Sequence, residues 1–260
     1  MSNDFHEKKY RFDAYSWLEI SEMDKKSQTV LIPLGSVEEA GPHLPMGADI
    51  YVAEAIAHEI AKNAGCLVCP SLPIGYSEWF LEFPGTISLN METFVQVLRD
   101  YCSCLIRHGF KKVIFVNGHG GHAALVGVVA RELVAKYDVQ IAMVEPWIIA
   151  NSLGQDILGE KTFTHAGEIM TSLMLYLHPE RVNMQRAKVE HSKSRNPSFK
   201  TRSIIGPAEF KGVLINHYEK AKDLTVSGST GDPLSATAEK GKLLFERITA
   251  YLVEMVKEFG

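Results

Sequence analysis

The chain of 260 residues is long enough to bury a full hydrophobic core, and we expect residues 1–260 to form a single domain. Hydrophobic residues make up 46% of the chain, charged residues 22%, and the formal net charge is −4, a globular composition without the basic excess of a nucleic-acid-binding protein. No apolar run approaches the length of a membrane span and the first residues lack the apolar core of a signal peptide, so we expect a cytoplasmic protein with no membrane partner.

Strand-like and helical patterns alternate along the chain. Four apolar runs are typical of buried strands: TVLIPLG at 29–35, CLVCP at 66–70, KVIFVNG at 112–118 and VQIAMVEP at 139–146. Helical patterns lie between or near them at 51–63, 91–108, 123–137 and, closing the chain, 233–259. Continuous apolar strands followed by helices predict a three-layer α/β fold, in which a mostly parallel sheet has helices on both faces.

Two further features are interpreted structurally. The basic segment HSKSRNPSFKTRS, which carries Lys193, Arg195, Lys200 and Arg202, has no strand or helix period, and we expect a solvated surface loop, with an anion-binding lid as the alternative. The four cysteines, Cys66, Cys69, Cys102 and Cys104, are spaced so that neither pair shares a face of its strand or helix. We therefore expect buried, reduced thiols rather than a redox or zinc motif.

Polar loops follow three of the predicted strands. They are SVEEAGPHLPMGAD at 36–49, NGHGGH at 117–122 and EPW at 145–147. In a parallel sheet the ligand crevice lies beyond the carboxyl ends of the strands. We therefore expect the three loops to meet at one pocket.

Three pairs of side chains have the chemistry of a divalent-metal site: Glu38 with Asp49, His119 with His122, and His165 with Glu168 in THAGEIM. Carboxylates and imidazoles are the donors that zinc, manganese and iron accept. The glycines of NGHGGH permit unusual backbone angles and close approach to a ligand. If THAGEIM opens a helix, His165 and Glu168 share one face, although Glu168 is equally explained as an acid at a helix N-terminus.

Five segments occur in the order in which the creatininase (creatinine amidohydrolase) family has them: PLGSVEEAGPHLPMGAD, GYSEWFLEFPGT, VNGHGGH, HAGE and GSTGDPLSATAEKGK. The chain thus resembles this family over most of its length. The resemblance implies a homo-oligomer, commonly a hexamer, with one or two divalent metals per subunit; zinc and manganese are expected and iron is the alternative. It also implies hydrolysis of small non-peptide amides, or of a short peptide bond in one branch.

Residue roles follow from the same resemblance. Glu38, Asp49 and His119 match metal ligands, with Asp49 bridging two ions where both are present. His165 matches the catalytic histidine, and Glu168 matches the acid that many members use at the second ion.

Substrate contacts are expected from four residues. Trp147 matches a family aromatic near the pocket. Tyr76, Glu78 and Trp79 lie in the variable segment that lines it.

The chain departs from the family at positions that bear on the second metal. Glu38-Glu39-Ala40 stands where the family has Glu-Gln-His, so a methyl group replaces an imidazole ligand. His122, where the family usually has asparagine, is a candidate to compensate. His43 is a second candidate, for which a role in shaping the loop or the pocket is favoured.

Three other departures concern a missing acidic residue and the choice of substrate. Met170 stands where the family usually carries a second acid. Gly120 and Lys161 replace an aromatic residue and a tryptophan of creatininase itself, so creatinine is not the favoured substrate.

The expected function is metal-dependent hydrolysis of an amide, cyclic amide or formamide C–N bond in a small molecule. His165 would protonate the leaving nitrogen, a role suited to imidazole. One alternative is a catalytically impaired protein that binds a small molecule or a partner, and another is a one-metal enzyme for cyclisation or ring opening. The retained Glu38, Asp49 and His119, with His165 and Glu168, favour the hydrolase.

Overall fold

The computed structural model describes residues 8–201, 204 and 206–259. Four strands in this part of the chain form a parallel sheet: β1 Thr29–Leu34, β2 Leu67–Val68, β3 Lys112–Asn117 and β4 Gln140–Val144. Their spatial order is β2-β1-β3-β4. The predicted parallel sheet is confirmed, with all six residues of β1 buried.

Eight α-helices occur in the described residues: α1 Trp17–Glu22, α2 Ala48–Ala64, α3 Met91–Arg107, α4 Ala123–Lys136, α5 Pro146–Leu153, α6 Glu168–Leu177, α7 Ala221–Leu224 and α8 Ala238–Glu258. None of these helices combines the length and the apolar character needed to cross a bilayer. The closing helix begins later than the pattern 233–259 predicts, because Thr237 caps it by accepting a hydrogen bond from the Lys240 amide.

The helices cover both faces of the sheet, because successive strand residues point to opposite sides. Leu31 of β1 packs into a core with α2, α5, α6 and α8. Its neighbours Val30 and Ile32 pack into a second core with α3 and α4. The expected three-layer α/β architecture is confirmed.

The register brings three strand ends to one edge of the sheet. Leu34 of β1 is paired with Asn117 of β3, and Val116 of β3 is paired with Val144 of β4. The loops that follow these three strands therefore start side by side.

The region 191–229 is more regular than its sequence predicts. It contains a small antiparallel sheet of β5 Lys200–Thr201, β6 Ala208–Phe210 and β7 Val213–Ile215. Lys200 thus lies on a strand, and Arg195 forms an ion pair with Asp223 instead of an open anion site. Arg202 lies outside the described residues.

The prediction for the cysteines holds for three of the four. Cys66, Cys69 and Cys102 are buried free thiols, and burial raises the pKa of each. Cys104 is also a free thiol, but it is exposed, so the prediction of burial is wrong there. Its position on α3 faces away from the second core.

Gly241→Ala is expected to destabilise the fold, because α8 crosses α6 with no room for a side chain. A Cβ at Gly241 would lie 1.9 Å from the Ser172 carbonyl oxygen. Separating the helices should cost about 2 kcal/mol or more, which lowers the melting temperature by about 4–8 °C. Gly127→Ala is the matched control, since that α4 position has open space and alanine should stabilise the helix by about 1 kcal/mol. Equal melting temperatures for the two variants would contradict the close packing of α6 and α8.

Candidate metal centre

Three buried side chains meet beyond the ends of β1 and β3. Glu38 lies in the loop after β1, Asp49 in the first turn of α2, and His119 just after β3. His119 Nδ1 is 3.0 Å from Glu38 Oε1 and 3.1 Å from Asp49 Oδ2. Ligand atoms from all three lie within 4.8 Å of one another, and each residue is at most 4% exposed. Two carboxylates and one imidazole in this arrangement fit a zinc, manganese or iron ion.

Neighbouring groups hold the cluster in place. Ser77 donates a hydrogen bond of 2.6 Å to Glu38 Oε2, which fixes the carboxylate from outside the cluster. A Cβ at Gly118 would lie 2.3 Å from the Asp49 carbonyl oxygen, so glycine is required for the turn to approach α2. Gly118, Gly120 and Gly121 all have negative φ angles, so the expectation of unusual backbone angles in this turn is wrong. Glycine is needed at position 118 because the backbone there approaches α2 closely.

The charges of the cluster depend on one another. Burial raises the pKa of Asp49, the nearby Glu38 raises it further, and together they outweigh His119 to give a pKa of about 6. Burial lowers the pKa of His119, but the two carboxylates outweigh burial and raise it to about 10. In the metal-free protein, His119 is therefore a cation between two acids.

Metal affinity is expected to fall as the pH is lowered, because the ion and protons compete for the same atoms. His119 carries a proton throughout the neutral range, and Asp49 takes up another as the pH falls through about 6. Displacing one proton weakens binding about tenfold per pH unit, and displacing two makes the slope steeper below about pH 6. Competition with a chelating dye for Zn²⁺ from about pH 5.5 to about pH 8.5 measures this slope. A pH-independent affinity would show that the ion binds elsewhere.

His165 lies beside the cluster and is held by Glu39. Its Nε2 is 3.1 Å from Glu39 Oε1 and 3.0 Å from the Glu39 carbonyl oxygen, and its ring stacks on Phe80 with centroids 4.9 Å apart. Burial lowers the pKa of His165, but Glu39 and the cluster acids outweigh burial and raise it to about 9. Within the described residues Nδ1 has no hydrogen-bond partner, so it is the nitrogen left to face a ligand.

Glu168 is not brought to the cluster. Helix α6 begins at Glu168, and His165 precedes it across Ala166, whose φ is 52°. The prediction that His165 and Glu168 share a helix face is therefore wrong. The Glu168 carboxylate is fully buried, forms an ion pair with Lys240 of α8, and accepts a 2.8 Å hydrogen bond from the Glu160 amide.

His122 is close to the cluster but has both ring nitrogens engaged. Its Nε2 accepts a 3.1 Å hydrogen bond from the Tyr76 amide, so in the neutral ring the proton is on Nδ1. Nδ1–H then donates a hydrogen bond of 3.2 Å to Asn117 Oδ1. Burial lowers its pKa well below the ordinary value, with the His119 charge adding to the effect. The ring is a neutral, fully bonded part of the turn rather than an available ligand.

His43 also has a partner outside the cluster. Its Nε2 is 2.8 Å from the Thr171 hydroxyl of α6, and burial lowers its pKa to about 4, with His165 adding to the effect. Its position against α6 agrees with the favoured role in shaping the loop.

A cavity of about 400 Å³ opens onto the cluster. Glu38, Asp49, His119 and His165 line it, together with Trp147. The three loops predicted to meet at one pocket therefore do meet there, through Glu38, His119 and Trp147.

The other three predicted substrate contacts lie elsewhere. Tyr76, Glu78 and Trp79 line a separate cavity of about 480 Å³, with Tyr218 and Lys220 among its other residues. In the same segment, Ser77 donates a hydrogen bond to Glu38 and the Phe80 ring stacks on His165. This segment therefore contacts Glu38 and His165 through Ser77 and Phe80.

Three site residues were missed from the sequence. Glu39 had a signal, since it is an acid where the resembled family has glutamine. Glu145 also had a signal, since it begins the EPW loop that was expected at the pocket. Ser77 had none, because a serine in a variable loop is common.

The sequence pattern of the creatininase family, described as creatinine amidohydrolase, matches residues 13–256. The chain belongs to the creatininase family. It is 29% identical over 242 residues to mycofactocin precursor peptide peptidase of Mycobacterium tuberculosis (strain CDC 1551 / Oshkosh), covering 86% of this chain and 83% of that one. It is 26% identical over 247 residues to creatinine amidohydrolase of Pseudomonas putida, covering 88% of both chains.

Solved creatininase structures have the same fold. A crystal structure of creatininase matches with a TM-score of 0.77 at 24% identity, covering 97% of this chain and 98% of that one. A manganese form of creatininase and a zinc–zinc form of a variant each match with a TM-score of 0.76, at 23% and 24% identity, covering 95% of this chain and 97% of theirs.

Two departures from the creatininase-family pattern, at Ala40 and Met170, lie in the same surroundings. Ala40 is 2% exposed and Met170 is 1% exposed, and both belong to the same apolar core as Ala166. The Met170 sulfur accepts a hydrogen bond from the Ala166 amide at 3.2 Å, and Met170 also lines the cavity. Met170 therefore gives the cavity an apolar wall, and Ala40 belongs to the same core.

Proposed function

We propose that this creatininase-family protein is a metal-dependent hydrolase that cleaves an amide, cyclic amide or formamide C–N bond of a small molecule. The observation that carries the proposal is the buried cluster of Glu38, Asp49 and His119, which opens into the same cavity as His165. The manganese and zinc forms of creatininase support either metal, and iron is accepted by the same donors.

Glu38, Asp49 and His119 would hold one divalent ion per subunit. A metal at this position polarises the substrate carbonyl and lowers the pKa of a bound water toward neutrality. His122 and Glu168 are left out of the proposed ligand set, because their polar atoms already have other partners. Ala40 and Met170, which offer no imidazole or carboxylate, likewise support one ion rather than two.

His165 would act as the general acid. The adjacent Glu39 carboxylate raises the pKa of His165 and favours the protonated ring, with Nε2–H directed to Glu39. Nδ1–H is then available to protonate the leaving nitrogen as the C–N bond breaks. Glu39 holds the His165 ring through two contacts to Nε2, one from its side-chain carboxylate and one from its backbone carbonyl oxygen.

The size of the cavity supports a small substrate. About 400 Å³ accommodates a molecule of metabolite size and leaves little room for a folded peptide chain. The relatives named above act, by their names, on creatinine and on a peptide precursor, so family membership supports hydrolysis and leaves the substrate open. Gly120 and Lys161, where creatininase has aromatic residues, argue against creatinine. A cytoplasmic homo-oligomer, a hexamer by family resemblance, completes the proposal.

The proposal is tested by measuring bound metal and hydrolysis on the same preparation. The purified protein is stripped with a chelator, reloaded with Zn²⁺, Mn²⁺ or Fe²⁺, and assayed for release of amine or ammonia from a cyclic amide panel, N-formyl amines, short peptides and creatinine. We expect about one metal per chain, loss of activity on stripping and recovery on reloading. Hydrolysis that survives complete metal removal would contradict the proposal. A metal-loaded protein that hydrolyses no member of the panel would favour the binding protein or the altered reaction.

A further inference from the structure

The cavity beside the metal cluster has more acidic than basic side chains in its described lining. Its described lining residues include the acids Glu38, Asp49 and Glu145 and the histidines His119 and His165, but no lysine or arginine. A divalent ion would balance the charges of Glu38 and Asp49, and His165 is balanced by Glu39. Glu145 is then the one charge of the described lining that nothing balances.

Glu145 is placed by β4 and α5 to face into the cavity. It follows the last residue of β4, and its carbonyl oxygen accepts hydrogen bonds of 3.1 Å from the amides of Ile148 and Ile149 in α5. These bonds hold the backbone, while within the described residues the carboxylate has no hydrogen-bond or ion-pair partner. Burial raises its pKa, and His119 opposes the shift. A carboxylate in this position is able to pair with a cationic group of a ligand.

The wall next to Glu145 is apolar and flat. The indole N–H of Trp147 donates to the Gly118 carbonyl, which fixes the ring. The Trp147 ring stacks on Phe163, with centroids 6.0 Å apart and planes 16° apart, and both rings line the cavity. An aromatic wall beside a carboxylate suits a protonated amine, since the ring faces and the acid both attract a cation.

We propose that Glu145 is a specificity-determining residue that binds a protonated amino group of the substrate, and so selects amides that carry an ammonium group close to the scissile bond. This inference rests on the proposed function, because the metal cluster must anchor the amide in the same cavity. An anionic substrate is disfavoured by the same carboxylate, since it would place like charges together.

Three hydroxamates of matched length test the charge preference without knowledge of the substrate. β-Alanine hydroxamate carries an ammonium group, butyrohydroxamate is neutral, and succinic acid monohydroxamate carries a carboxylate. Isothermal titration of the zinc-loaded protein at neutral pH should show the ammonium compound binding at least about tenfold more tightly than the carboxylate compound. Equal affinities, or tighter binding of the carboxylate compound, would overturn the inference.

The variant Glu145→Gln assigns the preference to one residue. It should bring the affinities of the charged hydroxamates within about threefold of each other, leave that of butyrohydroxamate unchanged, and retain the wild-type metal content. Glu132→Gln, which removes an exposed acid of α4, is the control for a general change of charge and should keep the preference. A preference that survives in Glu145→Gln overturns the inference. If no hydroxamate binds the zinc-loaded wild type, the proposed metal site fails and the inference fails with it, whereas equal binding of all three overturns only the role of Glu145.

Discussion

His119→Ala is expected to remove the metal from the protein and to lower hydrolysis of any accepted amide by about 10³-fold or more. The histidine supplies the one nitrogen donor of the cluster, at 3.0 Å from Glu38 and 3.1 Å from Asp49. Its loss leaves two buried carboxylates to bind the ion alone, and the several kcal/mol of Lewis-acid stabilisation are lost with the metal. Elemental mass spectrometry of the purified variant and the amide assay measure the two effects.

His122→Ala is the matched control, because both histidines are buried in the same turn. His122 is bonded to Tyr76 and Asn117 and should therefore keep the full metal content when replaced, with at most a loss of stability. Metal that stays in His119→Ala but leaves in His122→Ala would reverse the assignment. Half the wild-type content in His122→Ala would indicate a second ion, with His122 replacing the imidazole lost at Ala40.

Lys240→Met is expected to destabilise the protein by about 3 kcal/mol, which lowers the melting temperature by about 6–12 °C. The substitution leaves the fully buried Glu168 carboxylate without a cation, while keeping an unbranched side chain that is one atom shorter. Lys240 is partly accessible, with 27% of its side chain exposed, so the lower end of the range for a broken buried ion pair applies. Thermal unfolding followed by circular dichroism measures the change.

Three further variants make this result specific. Lys242→Met on the same helix breaks an exposed pair with Glu246 and should change stability by at most about 0.5 kcal/mol. Adding Glu168→Gln to Lys240→Met removes the unpaired charge and should recover more than half of the loss. Glu168→Gln alone should keep its metal; loss of the ion there would show that Glu168 is a ligand after all.

The fold could be predicted because its signals are local and repeated. Runs such as Val30–Leu34 are apolar at every residue, which predicts burial on both faces, and the helical periods between them predict the crossovers of a parallel sheet. The meeting of Glu38, His119 and Trp147 at one cavity also follows, because strands that run in parallel end at the same edge. The small sheet of β5, β6 and β7 could not be predicted, since its strands are two and three residues long.

The sequence by itself thus determined the layers of the fold, the edge that carries the site and the residue types gathered there. Only the tertiary structure decided which partner each side chain has: Lys240 for Glu168, Asn117 and Tyr76 for His122, and Glu39 for His165. The physical reason is that the period of a strand or helix specifies the direction of a side chain. Its hydrogen-bond partner, as far as 126 residues away in the case of His165 and Glu39, is set by how the layers pack.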